Sequence, residues 1–152
     1  MNSVKKILMG IGSELQGDDG IGTLIAIEFK ELNKQGWLSL PCETVPENFA
    51  GVVEREKPKL LIIVDAADMN IATGEFRLLQ KENLNSAVVG THGLPLKHLV
   101  ERLEKSAEKI LFIGVQPGKI KLGESISPEV EIAKKKLIEI ISKETWEKIQ
   151  FL

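Results

Sequence analysis

GIGSELQGDDGIG, residues 10–22, follows the apolar run Ile7-Leu8-Met9 and leads straight into an amphipathic pattern. Read physically, a strand ends there, a Gly-rich turn brings the backbone close to a neighbour, and two adjacent carboxylates stand where a helix begins. An acidic pair repels phosphate, whereas a helix N-terminus that binds phosphate offers bare N–H groups. Carboxylates suit a divalent cation or a polarised water instead. The usual nucleotide motifs fail in detail as well. Leu15 stands where a dinucleotide fingerprint needs its third glycine, and no Lys-Ser/Thr pair follows Gly17 as a P-loop requires. Ser13 follows the turn, but the G-x-S-x-G pattern of a nucleophile elbow is absent.

Outward from this stretch, apolar runs alternate with amphipathic segments. Val4–Met9 reads as a buried strand. Ile21, Leu24, Ile25, Phe29 and Leu32 share one helical face, so a helix is predicted from about Asp19 to Lys34. Trp37–Leu40 reads as a second strand and Asn48–Arg55 as a short helix ended by Pro58. Leu60–Val64 (LLIIV) is a central buried strand with Asp65 at its carboxyl end, and Glu75–Leu79 is a short strand. A polar loop over Lys81–Gly93 precedes a helix from Pro95 that turns Leu96, Leu99, Val100 and Leu103 inward. Lys109–Val115 is a further strand. Ser127 as N-cap and Pro128 at the first helical position open a last helix, buried through Val130, Ala133, Leu137, Ile140 and Ile141. Strand–helix alternation predicts an α/β fold: a three-layer α/β/α sandwich around a mostly parallel, mixed sheet of about five strands.

In such sheets ligands bind beyond the carboxyl ends of the strands. The sequence places polar residues there repeatedly: Gly12–Asp19 after the first strand, Asp65 after LLIIV, and Gln116-Pro117 after LFIGV. Asp18 and Asp19 could cap a helix, but one acid suffices for that. A second is then left for other work. Asp65 ends an otherwise apolar strand, so it is either satisfied by backbone N–H groups or acts as ligand or base. Asp68 reads as a loop residue with a capping or supporting role. His92, in THGLPL, joins the two strand-end carboxylates to make a common divalent-metal donor set. His98 falls within the following helix and reads as a surface residue. Cys42 has no His or Asn at a suggestive spacing and reads as a small buried residue.

The 152 residues make one ordinary domain, 1–152. An apolar fraction of 43% and a charged fraction of 28% fit a globular chain, and a net charge of −2 argues against a nucleic-acid binder. No stretch approaches the roughly 20 apolar residues of a membrane span. The single cysteine allows no internal disulfide, and no signal peptide is evident. Both fit a cytoplasmic protein, with a monomer as the default.

These pieces together resemble the hydrogenase maturation endopeptidases, which remove a C-terminal extension from the large subunit of nickel–iron hydrogenases. The matching segments are GIGSELQGDDGIG, Pro46–Asn48 (PEN), Leu60–Met69 (LLIIVDAADM), Thr91–Leu96 (THGLPL) and Gly114–Pro117 (GVQP). GDDG, VDAADM, THGLPL and the QP pair look most like the branch serving formate-hydrogenlyase-type hydrogenases. The resemblance implies a catalytic and metal-binding set of Asp19, Asp65 and His92, choosing Asp19 over Asp18. It further implies nickel as the divalent metal, carried by the substrate, and the large-subunit precursor as partner. Two positions depart from the pattern. Ser13 stands where the first turn usually has Asn, and Cys42-Glu43-Thr44 replaces an Asp-Gly strand end that Glu43 would partly supply. The rival readings are a non-catalytic scaffold or metallochaperone on the same precursor, and a nucleotide-binding α/β protein.

Overall fold

Side chains alternate across a strand, so a strand buried on both faces must be apolar throughout. Leu60–Val64 obeys this, and its two faces feed two separate cores. Leu61 and Ile63, with Ile7 and Met9, pack against Ala50, Val53, Val100 and Leu103. Leu60, Ile62 and Val64, with Leu8, pack against Ile25, Phe29, Leu137 and Ile141. The result is the expected three-layer sandwich. The computed structural model describes residues 4–86, 88–89 and 96–152.

The strands are β1 (Lys6–Ile11), β2 (Trp37–Glu43), β3 (Leu60–Asp68), β4 (Phe76–Leu79), β5 (Val88–Val89) and β6 (Lys109–Val115). The helices are α1 (Ile21–Glu31), α2 (Ala50–Glu56), α3 (Asn83–Ser86), α4 (Leu96–Leu103) and α5 (Pro128–Ser142). The main sheet runs β2-β1-β3-β6-β4, and β5 pairs with β3 off that path. β4 is antiparallel to β6, while β1, β2, β3 and β6 run parallel. α1 and α5 cover one face, α2 and α4 the other. From β1 the chain crosses to β2 on one side. From β2 it returns past β1 to β3 on the other. The strand order therefore reverses between β1 and β3, and the crevice of an open α/β sheet opens at that reversal.

Several boundaries differ from the sequence reading. α1 begins at Ile21 rather than near Asp19, because Gly17–Gly20 forms a 3-10 turn whose aspartates bond elsewhere. It stops at Glu31, and Asn33 adopts the left-handed φ of 49°. β2 continues through Pro41 to Glu43, which a proline permits on an edge strand. β3 continues to Asp68, so Asp65 lies within the strand and Asp68 ends it. The cause is pairing: β1 leaves β3 at Gly10–Val64, but β6 stays paired through Ala66–Val115, and β5 takes Ala67 and Asp68. α3 and β5 have too few residues for a periodic signal.

The glycines of the opening stretch are explained by backbone packing. A Cβ on Gly22 would lie 2.2 Å from the Val64 carbonyl oxygen and 2.4 Å from that of Ile11. The first turn of α1 therefore rests directly on β1 and β3. Gly12 has φ +138°, and a Cβ there would meet the Asp19 carbonyl oxygen at 1.8 Å. Gly22→Ala should thus cost about 3 kcal/mol or more, since backbone cannot yield as a side chain can. Gly51, in α2, has open space where a Cβ would stand, with nothing within 4 Å. Gly51→Ala should therefore gain about 0.5–1 kcal/mol. Urea denaturation of both variants checks the pair.

Candidate active site

Asp19 reaches the crevice from the 3-10 turn after β1, and Asp65 reaches it from β3. Both are fully buried. Asp19 Oδ2 accepts the Ser13 N–H at 2.9 Å, which holds the turn closed over the carboxylate. Asp65 Oδ1 accepts the Ala66 N–H at 2.8 Å. Burial pushes the Asp65 carboxyl well above the usual range, repulsion from Asp19 pushes it the same way, and the Ala66 hydrogen bond opposes both. Two like charges brought together out of water favour retention of a proton, and a cation would relieve the same repulsion.

Asp18 does different work. Also fully buried, it points to the β6–α5 loop. Its Oδ2 accepts N–H groups from Gly118 (2.7 Å) and Lys119 (2.9 Å) and the Ser127 hydroxyl (2.6 Å), while Oδ1 accepts the Ser127 N–H (2.6 Å). Ser127 occupies the N-cap position of α5 as expected, but its hydroxyl is spent on Asp18 rather than on the helix. Both halves of the aspartate pair are thus occupied: one ties loops, the other faces Asp65. Spacing could not tell them apart, because the partners of Asp18 lie about a hundred residues away in sequence.

Gln116 and Asp68 are support. Gln116 Oε1 accepts the Met69 N–H at 2.7 Å, and its Nε2 donates to Asp68 Oδ1 at 3.2 Å. The carboxyl end of β3 is thereby clamped to that of β6, downstream of Asp65. Sequence reasoning places Gln116 at the right edge without revealing this role. Thr23 carries no signal in the sequence; its hydroxyl donates to the Gly12 carbonyl at 2.7 Å and pins the turn to α1. Glu43 ends β2 with φ 53°, and its carbonyl accepts the Gly12 N–H at 2.8 Å. Burial, followed by a hydrogen bond and repulsion from Glu14, raises its carboxyl to about 7. Cys42 is buried, donates weakly to the Leu40 carbonyl, and is pushed up to about 12 by burial, which fits its reading as a core residue. His98 is exposed on α4.

His92 lies outside the described residues, as does Pro95. Val89, which precedes that segment, pairs with Ala67, two residues past Asp65. Among the described residues no three His, Cys, Asp or Glu side chains converge as a metal-binding group.

A family model described as hydrogenase maturation protease (HycI) matches residues 42–144. The chain belongs to the hydrogenase maturation protease family. The hydrogenase 3 maturation protease of Escherichia coli K12 is 31% identical over 112 residues, covering 73% of this chain and 72% of that protein. A crystal structure of a [NiFe] hydrogenase maturation protease HycI from Thermococcus kodakarensis KOD1 superposes with TM-score 0.82 at 33% identity, covering 92% of this chain and 91% of that one. Another, of a hydrogenase 3 maturation protease, gives TM-score 0.84 at 26% identity over 91% and 90%. The buried carboxylates of this protease therefore lie in a fold shared with these solved structures over 91–92% of the chain. Among the described residues no helix is long and apolar enough to cross a membrane.

Two outcomes follow for this maturation protease. Asp18→Ala strands the backbone donors of Gly118, Lys119 and Ser127 and should cost on the order of 3 kcal/mol. Asp19→Asn keeps an acceptor for Ser13 and should change stability by less than about 1 kcal/mol; thermal melts of the two variants decide. Asp65→Asn keeps an acceptor for Ala66 and removes the charge, so the unliganded protein should gain about 0.5–2 kcal/mol at pH 7. Because the folded-state carboxyl of Asp65 is raised, the wild type loses stability as pH rises above the ordinary carboxylate range. The gain from Asn should shrink toward zero near pH 4, as melts across pH 4–8 would show.

Proposed function

We propose that this protease removes the C-terminal extension from the nickel-loaded precursor of a [NiFe]-hydrogenase large subunit. The observation that carries the reading is the buried, mutually repelling pair Asp19 and Asp65 at the strand-order reversal. A protein that leaves two carboxylates in such a place holds an unfavourable arrangement, and a divalent cation relieves it. Here the cation is part of the substrate: nickel arrives in the precursor. Asp19, Asp65 and His92 would contact it, two carboxylate oxygens and an imidazole nitrogen suiting a borderline divalent ion. Held there, the cation would polarise the scissile carbonyl or lower the pKa of the attacking water, and Asp19 or Asp65 would accept that water's proton as general base. A cation in the site favours the ionised carboxylates, whereas burial and repulsion from Asp19 favour protonation of Asp65, so metal entry and protonation oppose each other. The reading has the protease work in the cytoplasm.

The test mixes purified protein with nickel-loaded and nickel-free precursor and follows mass by mass spectrometry. Loss of a C-terminal peptide from the loaded form alone is expected. Asp19→Asn, Asp65→Asn and His92→Ala should each slow it by at least about a hundredfold. Binding without any mass loss would overturn the reading in favour of a scaffold. Full processing by Asp19→Asn and His92→Ala would overturn the ligand set.

A further inference from the structure

Large apolar side chains on the surface are ordinary singly, but clustering on one functional edge is informative. Leu15 is 70% exposed and Leu122 is 74% exposed, with Ile120 and Val45 also exposed. All of them lie on loops that follow β1, β2 and β6, the carboxyl edge of the sheet where Asp19 and Asp65 meet. Leu15 and Leu122 are brought side by side by the backbone. The Gly123 N–H donates to the Leu15 carbonyl at 2.9 Å, and the Gly17 N–H donates to the Glu124 carbonyl at 3.1 Å. The Asp18 N–H donates to the Lys119 carbonyl at 2.6 Å, and the Asp18 carboxylate holds the same loop from below. These leucines are therefore presented by a fixed scaffold, which lowers the ordering cost of any contact they make. Exposed Glu14, Lys119, Lys121 and Glu124 neighbour them along the chain with charges of both signs, the composition of an apolar centre with a polar rim.

We propose that Leu15 and Leu122, with Ile120, form the docking ridge for the large-subunit precursor, gripping an apolar patch of its surface beside the extension to be cut. This rests on the function proposed above. The patch and the site share one loop: Leu15 is flanked by Ser13 and Asp19, which are hydrogen-bonded to each other. A folded protein that delivers a peptide bond to Asp19 must lay its surface over the adjoining residues, and those include Leu15 with Leu122 beside it. A free peptide carrying the cleavage sequence would reach the carboxylates without covering the ridge.

The test is a steady-state comparison of wild type with Leu15→Ser/Leu122→Ser on nickel-loaded precursor, with melting temperature as the folding control. KM is expected to rise at least tenfold, equivalent to 1.4 kcal/mol, with kcat and melting temperature unchanged. Affinity is read separately by titrating precursor into Asp19→Asn with and without the leucine substitutions, and the same loss is expected. A wild type that binds precursor without cutting it, and loses affinity in the leucine variant, sinks the protease reading and keeps the ridge. KM and affinity unchanged within twofold, with normal processing, overturn the ridge. A wild type that sediments as a dimer and a leucine variant that sediments as a monomer, with KM unchanged, assign the patch to a second copy and also overturn it.

Discussion

The close approach of the first turn of α1 to β1 and β3 governs the rest of this molecule. Gly10 and Gly22 let backbone lie on backbone, where even one Cβ would collide with a carbonyl. That contact brings the 3-10 turn down onto the point where β1 stops pairing with β3. Asp19 is then carried into a fully buried position opposite Asp65, although the two come from separate elements. A looser helix would leave Asp19 in water, where its charge would matter little to its neighbour. The glycines thus set the position of Asp19 through packing.

Placing two carboxylates side by side out of water opposes stability, and the surroundings limit the cost by hydrogen bonding. Asp19 accepts from Ser13, and Asp65 accepts from Ala66. Neither bond removes the mutual repulsion, which keeps the Asp65 carboxyl raised. The neighbouring Asp18 is equally buried but saturated with donors, so it fastens the β6–α5 loop rather than facing the crevice. Of these adjacent identical residues, one anchors a loop and the other faces Asp65. The anchoring half also holds the loop that exposes Leu122, which links the rigidity of the site's floor to the surface around its mouth. Gln116 completes the frame by fixing the end of β3, so that Asp65 is held by the strand on both sides along the chain.

The layers were legible in the sequence because burial on both faces demands uninterrupted apolar strands, and LLIIV and ILFIGV have that form. Helical periodicity likewise announced α1, α4 and α5 by the residues they bury. The carboxyl edge was legible for the same reason, since polar residues follow these apolar runs, although Asp65 lies inside β3, which runs on to Asp68. Element limits were not, since the length of β3 depends on β6 and β5, which are distant in sequence. The sequence by itself determined an α/β sandwich with acids at one edge, because hydrophobic pattern and strand period are local properties of the chain. Only the tertiary structure decided that Asp18 ties loops while Asp19 meets Asp65, that Ser127 serves an aspartate instead of its own helix, and that Leu15 lies beside Leu122. Each depends on partners brought together by folding, and hydrogen bonding and charge repulsion act only over the short distances that folding creates.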